Sequence, residues 1–267
     1  MDDTDQQLEH NRAAWDRMAD EGDRLYHAVT PEAIEKARAG EMRIIVTPTK
    51  PVPMDWLMPL EGRDILCLAG GGGQQAPLLA AAGANVTVLD LSEKQLQRDL
   101  DVAAREGLTI KTIASDMRDL SQLQSDSFDL ILNPTSNCYC PDVRPVWKEA
   151  FRVLRPGGKL IAGFIKPVYY LFDAQKMDRG KLKVRHKIPY SDLHLEAAER
   201  KQTLGDRPLE YGHSLTDQIG GQTDAGFEII SFYEDRWGDA DVLSDHIDVF
   251  AATLAMKPNP ISKANSQ

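Results

Sequence analysis

Two rhythms of apolar residues alternate along this chain: short unbroken runs, and longer stretches in which apolar side chains return every third or fourth position. Ile65-Leu66-Cys67-Leu68-Ala69 is an unbroken run closed by Gly70-Gly71-Gly72-Gly73, the pattern of a central parallel strand ending in a tight turn. A helix is expected to follow through Leu78, Leu79 and Ala82. Asn85 to Asp90 reads as a second strand, and Ser92 with Gln95 three residues on forms a capping box for a helix carrying Leu96, Leu100 and Ala103. Thr109 to Ala114 and Phe128 to Asn133 read as strands three and four. Val143, Val146, Trp147, Ala150, Phe151 and Leu154 share one helical face, Gly157-Gly158 ends that helix, and Lys159 to Ile165 makes a fifth strand. Further on, Thr216 to Ala225 reads as a helix, with Phe227 to Tyr233 and Ile247 to Leu254 as closing strands.

This alternation predicts an α/β fold with a doubly wound parallel sheet, whose ligands bind outside the carboxyl ends of the strands. The glycine turn, Asp90, Asp116 and Asn133 would then share one rim. Ahead of the sheet, Leu8 to Met18 has a helical pattern containing Trp15. A second helix opens at Thr30-Pro31, where Thr caps and Pro takes the first helical position. The proline-rich run from Thr47 to Pro53 forbids regular structure and leads to Trp56. Lys181 to Tyr190 alternates strictly, with Lys181, Lys183, Arg185 and Lys187 on one face. It reads as a strand, either an anion-attracting wall or an edge protected by its lysines. The expected division is a cover over 1–59, a main domain over 60–256 with a cap insertion at 167–212, and a flexible tail over 257–267.

A chain of 267 residues, 42% apolar, can bury one large core with decorations. A net charge of -10 disfavours nucleic acid and anionic lipid and favours a small-molecule partner. No apolar stretch approaches membrane-spanning length and the first residues are acidic and polar, so the expected location is cytoplasmic. Cys67, Cys138 and Cys140 cannot all pair within one chain, which fits a reducing compartment. Cys138-Tyr139-Cys140 has no second ligand pair, and no metal is expected. Oligomeric state is left open.

A glycine turn between strand and helix lets the backbone approach a ligand closely. Gly71-Gly72-Gly73-Gln74-Gln75-Ala76 also fits a dinucleotide fingerprint with Ala in its last position, and Asp90 lies where a ribose-binding acid belongs, so a nicotinamide oxidoreductase is an alternative. A cofactor-binding regulatory protein without transfer activity is a second one. The segments Ile65 to Gly73, Val88-Leu89-Asp90, Ser115-Asp116-Met117, Phe128 to Leu132, and Arg152-Val153-Leu154-Arg155-Pro156-Gly157-Gly158 stand in one order. In that order the chain resembles the class I S-adenosylmethionine-dependent methyltransferases, small-molecule type, across most of residues 60–254. Ala225-Gly226-Phe227 before the sixth strand is similarly placed.

The resemblance implies a Rossmann-like, mainly parallel seven-stranded sheet with a closing antiparallel strand, and S-adenosylmethionine as cofactor. It implies that Ala69, Gly70, Gly71 and Gly73 lie against the methionine and ribose portions. Asp90, with Leu91 beside it, would accept from the ribose hydroxyls, Asp116 from the adenine amino group, and the Met117 backbone would meet a ring nitrogen. Either Asp is alternatively a cap or turn residue. Asn133 would stand near the transferred methyl. Cys67 replaces an acid common in the first strand, and Ala69 replaces a glycine. Both substitutions bear on cofactor affinity.

Methyl transfer is an in-line displacement in which alignment supplies much of the rate, so a general base is optional. His213, just before the helix at Thr216, is a candidate proton relay or a capping residue. Tyr169 and Tyr170 in the insertion are candidate substrate contacts or core aromatics. Asn133-Pro134 begins like the signature of amino-group methyltransferases but lacks its second proline and aromatic, so the acceptor atom is left open.

Overall fold

The computed structural model of the chain describes residues 3–21, 27–238 and 241–260. Helices α1 (Asp3–Glu21), α2 (Pro31–Arg38) and α3 (Met54–Leu57) precede strand β1 (Asp64–Leu68). Then follow α4 (Gln75–Ala81), β2 (Asn85–Asp90), α5 (Glu93–Glu106), β3 (Ile110–Ala114), β4 (Phe128–Asn133), α6 (Arg144–Val153) and β5 (Leu154–Ile165). The segment after β5 holds α7 (Ala174–Met177), β6 (Tyr190–Ser191), α8 (Ala197–Leu204) and β7 (Tyr211–Gly212). A π-helical turn at Thr216–Gly220 runs into α9 (Gly221–Asp224), and β8 (Glu228–Asp235) and β9 (Phe250–Met256) complete the order.

The seven-stranded sheet has the order β3-β2-β1-β4-β5-β9-β8. Strands β1 to β5 pair in parallel, while β9 lies antiparallel to both β5 and β8. This is the Rossmann-like sheet that the resemblance implies, with its antiparallel strand inserted one position in from the edge. The chain crosses over between β1 and β4, where a doubly wound sheet opens its ligand crevice. Strands β1 and β4 are buried on both faces because helices cover each side.

Burial follows the same layers. Ile65, Cys67, Leu79 and Trp56 belong to the core on one face, with α2 to α5, and Leu66, Leu68, Trp147 and Phe227 to the core on the other, with α6. Trp147 is fully buried and its indole N–H donates to the Asp217 carbonyl at 2.9 Å. Gly221 is required opposite, since a Cβ there would stand 2.6 Å from the indole ring. A third cluster, including Ile165, Tyr170, Val249 and Phe250, sits past the carboxyl ends of β5 and before β9.

Several expectations shift at their edges. Helix α1 extends beyond Leu8–Met18 in both directions, and β5 begins at Leu154, so Val153 rather than Gly157-Gly158 ends α6. The π-helical turn opens the helix expected over Thr216–Ala225. The alternation at 181–190 does not make the expected strand. Val184 bridges Phe172 and Tyr190 pairs with Gly212 in β6, but Leu182 and Val184 are exposed, so the apolar face meets a core only towards its end, where Ile188 and Tyr190 pack against the third cluster. Cys67, Cys138 and Cys140 are buried and unpaired. Among the described residues no group of side chains is placed to hold a metal, and no helix is long and apolar enough to cross a membrane. Of the tail, residues 261–267 lie outside the described residues.

Candidate active site

A cavity of about 360 Å³ opens at the carboxyl ends of β1, β2, β4 and β5. Its floor is the turn Ala69-Gly70-Gly71, with Asp90 and Leu91 after β2, Asp116 to Arg118 after β3 and Pro134 to Ser136 after β4. Gln7, Leu8, Asn11 and Trp15 of α1 and the loop Ile45 to Pro48 close it above. Tyr139, Tyr169, Trp237 and Phe250 give its far wall aromatic surface, and Glu210 is a carboxylate on that wall.

The glycine turn is held by two carboxylates. Gly71 N–H donates to Asp90 Oδ2 at 2.9 Å, and Ser92 N–H to Asp90 Oδ1 at 3.0 Å. Burial pushes the Asp90 carboxyl up, against the pull of these donors. Gly72 and Gly73 donate to the two oxygens of Asp99 at 3.0 and 3.1 Å. Asp99 is fully buried on α5, and burial pushes its carboxyl up to about 7 despite both donors. A Cβ at Gly71 would stand 3.0 Å from Gln95 Cβ and 3.1 Å from Asp90 Oδ2, so the turn leaves that approach clear only as glycine. Ala69 adopts φ 50°, a left-handed conformation that a side chain disfavours.

Asp99 is the residue that the sequence reading missed here. With Cys67 in β1, the turn takes its polar anchor from α5 instead. The signal was present as a carboxylate on the helix's inward stripe, beside buried Gln95, Leu96, Val102 and Ala103. Gln95 also lines the cavity, and among the described residues its buried Oε1 has no hydrogen-bond partner. The turn, the Asp90 carboxylate and this unmatched acceptor fit a ligand that brings hydroxyl and amino donors, as a nucleoside does.

Of the other residues singled out from sequence, Asp116, Met117 and Tyr169 line the cavity. Asp116 also pairs with Arg118, whose Nε and Nη2 lie 2.8 and 2.5 Å from Oδ2. Gly73, Asn133, Tyr170 and His213 are not brought to the cavity surface. Asn133 is buried behind it, its amide donating to the Leu68 carbonyl at 2.9 Å and to Ser136 Oγ at 3.0 Å, which ties β4 to the start of the turn. His213 is buried with Nε2 3.0 Å from the carbonyls of both Asn137 and Cys140, an arrangement in which Nε2 carries the proton. Burial lowers its pKa, so the ring is neutral and pins the loop bearing Tyr139.

A turn of glycines after β1, a carboxylate ending β2 and a cavity over the sheet's crossover point fit a cofactor that carries a nucleoside. Residues 66–162 match the family model described as a methyltransferase domain. The chain belongs to the class I S-adenosylmethionine-dependent methyltransferases, and its cofactor is S-adenosylmethionine. It is 49% identical over 250 residues to the uncharacterized methyltransferase YbaJ of Bacillus subtilis, covering 93% of this chain and 97% of that one. Among solved structures, it is similar to an S-adenosylmethionine-dependent methyltransferase from Mesorhizobium loti, with TM-score 0.59 and 21% identity over 76% of this chain and 94% of that one. It is also similar to 1,6-didemethyltoxoflavin-N1-methyltransferase from Burkholderia thailandensis, with TM-score 0.60 and 14% identity over 97% and 92% of the two chains. That structure holds 1,6-didemethyltoxoflavin and S-adenosylhomocysteine. Family membership sets aside the nicotinamide alternative raised by the glycine fingerprint.

Proposed function

We propose that this methyltransferase acts on a small metabolite enclosed between the sheet's carboxyl edge, α1 and the segment after β5. The observation that carries the reading is a cavity running from the glycine turn to an aromatic wall. Its volume falls within the range of small-molecule sites. S-adenosylmethionine supplies an electrophilic methyl group. Ala69, Gly70, Gly71 and Gly73 would shape the turn around it, and Asp90 beside Leu91 would take the ribose hydroxyls. Asp116 and the Met117 backbone would take the adenine, with Asn133 and His213 positioning neighbouring loops. Tyr169 would contact the acceptor directly, and Tyr170 would act from behind the wall.

The domain division belongs to the same reading, with 1–59 as a cover, 60–256 as the transfer domain, 167–212 as a cap and 257–267 as a tail. So do a cytoplasmic location and partners other than nucleic acid or membrane, on the net charge of -10. Calorimetry with S-adenosylhomocysteine and NADH tests the cofactor assignment to these residues. The sulfur ligand should bind, and Asp90→Ala should weaken it by about 1.5–3 kcal/mol, the worth of hydrogen bonds to a charged acceptor. Tight NADH binding with no response to the sulfur ligand would overturn the reading.

A further inference from the structure

Glu210 is a carboxylate on the cavity wall to which the cofactor reading gives no task. Its neighbours fix it from both sides. Asn11 of α1 binds the backbone N–H and carbonyl of Leu209, at 2.7 and 3.2 Å, and the Tyr211 hydroxyl donates to Gln7 Oε1 at 2.8 Å. The Glu210 N–H donates to Asp192 Oδ2 at 2.7 Å. Glu210 Oε2 accepts from the Tyr170 hydroxyl at 2.9 Å, and among the described residues Oε1 has no hydrogen-bond partner. Tyr170 is itself buried and stacked on Tyr190 with ring centroids 5.2 Å apart, so the oxygen it leaves over is held in place.

The wall around Glu210 is aromatic, with Trp15 edge-on to Tyr139 at 4.9 Å and Trp237 edge-on to Phe250 at 4.7 Å. Among the described residues Arg118 is the cation lining the cavity, and it is engaged by Asp116. Flat, largely apolar surfaces with one fixed acceptor suit a ring whose edge carries a hydrogen-bond donor. A carboxylate or thiolate substrate would meet Glu210 as a like charge. An aliphatic ammonium would pair with it but would bring no ring to face the aromatic walls.

Resting on the methyltransferase reading of this cavity, we infer that Glu210 is the proton acceptor of the reaction. The substrate class that fits it is a flat ring bearing an ionisable O–H or N–H. The O–H or N–H proton passes to Glu210 Oε1, and the electron pair it leaves forms the bond to the methyl carbon. The carbon–sulfur pair stays on sulfur, giving a neutral thioether, and Glu210 then returns its proton to solvent. The electrostatics agree with the geometry. Burial and the adjacent Asp192 push the Glu210 carboxyl up, donation from Tyr170 and the charge of Arg207 pull it down, and it settles at about 7. Cys138, Tyr169, Tyr170 and Tyr190 also face it, all with pKa values raised by burial and so neutral at that pH. A base of that strength operates near neutral pH.

The test uses the full chain and Glu210→Gln, with S-adenosylhomocysteine calorimetry on both. Transfer from labelled S-adenosylmethionine is then measured to catechol, 4-nitrophenol and lumazine, with benzoate and benzylamine as contrasts. Binding of catechol, which stays protonated over this range, to the S-adenosylhomocysteine complex is followed from pH 5.5 to 8.5. We expect the sulfur ligand to bind both proteins within about threefold and label to enter a ring O–H or N–H compound. Glu210→Gln should lower kcat about 100-fold or more, the usual worth of a general base. KM should move little, and the limb near pH 7 should vanish from turnover and catechol binding alike. Failure of both proteins to bind the sulfur ligand would sink the cofactor reading itself. If it binds, the base assignment is overturned by a variant that keeps turnover and both pH profiles. Label reaching only benzoate or benzylamine, or none of the compounds, overturns the substrate class.

Discussion

Ala69 shows how a single residue can carry both strain and placement. Its N–H donates to the Leu89 carbonyl at 2.7 Å, and φ 50° turns the chain out of β1 into the glycine turn. A left-handed alanine costs about 1–2 kcal/mol, of which glycine recovers part against its freer unfolded chain. Ala69→Gly should therefore stabilise the protein by about 1 kcal/mol in urea denaturation; an unchanged or lower midpoint would show that the turn is not strained there. Asp99 gives a pH signature. Burial pushes its folded carboxyl up to about 7, from an ordinary 3.8. From pH 4 to 7 the folded protein thus holds a proton that the unfolded chain has released, so this group's contribution to stability falls as pH rises. The slope reaches about 1.4 kcal/mol per pH unit. Subtracting the Asp99→Asn stability profile from the parent's over pH 4–8 should isolate this fall; two parallel profiles would count against it. Residues such as Asp90 and Asp116 were legible because each ends, or lies within two residues of, a strand that the apolar runs define. Asp99 and Glu210 were not, since their roles exist only once α5 and the segment before β7 are packed against the cavity.

At the scale of elements, the loop from Ile44 to Val52 is fixed from a distance. Val52 N–H donates to the Ile44 carbonyl at 2.8 Å, and Thr135 N–H and Oγ1 hold the Val46 carbonyl at 3.0 and 2.8 Å. Asp235, at the end of β8, accepts from Thr49 N–H, Lys50 N–H and Arg236 N–H at 2.8, 2.9 and 2.8 Å, and from the Thr49 hydroxyl. Burial opposes the charge, but these donors outweigh it and hold the Asp235 carboxyl down at about 2. Its contribution is therefore present above about pH 4 and lost as pH falls through about 2, worth about 2 kcal/mol for the shift. Asp235→Ala should cost about 3 kcal/mol at pH 7, because its donors lose a charged acceptor, and should loosen S-adenosylhomocysteine binding by freeing the loop. Unaltered stability at pH 7 would show that the loop is held by other contacts. The proline run announced an irregular segment, but nothing local to it announced a roof, because its anchor lies 186 residues further along the chain. The misread at 181–190 has the complementary cause. Alternation predicts a strand only where one face meets a core, and with Leu182 and Val184 exposed that face finds one at Ile188 and Tyr190, so the strand shrinks to the two residues of β6.

Across the whole molecule, α1 bridges two parts of the chain that the sheet does not connect. On one side Ser92 Oγ donates to Asp16 Oδ1 at 2.6 Å and Arg98 to the Ala19 carbonyl at 2.5 Å, binding the helix to α5. On the other, Asn11 bridges Leu209 and the Tyr139 carbonyl, the latter at 3.0 Å, while His10 and Arg17 reach the carbonyls of Arg207 and Asp206. Helix α1 thus lies across the cavity with few contacts to the central strands, and its undocking would open the site while leaving the sheet intact. Asn11→Ala leaves the Leu209 and Tyr139 backbone groups unmatched, a cost of about 3 kcal/mol if the helix stays in place. A helix able to detach avoids that cost by opening locally. The expected result in native-state hydrogen exchange is therefore faster exchange over residues 3–21 and 206–212 in Asn11→Ala, with amides of β1, β4 and β5 unchanged. Saturating S-adenosylhomocysteine should restore protection over those segments, because a ligand that binds the closed form draws the helix back in proportion to its concentration over Kd. Equal loosening of the central strands would show instead that α1 is part of the cooperative core, and absence of ligand protection would show that its docking and the filling of the cavity are independent.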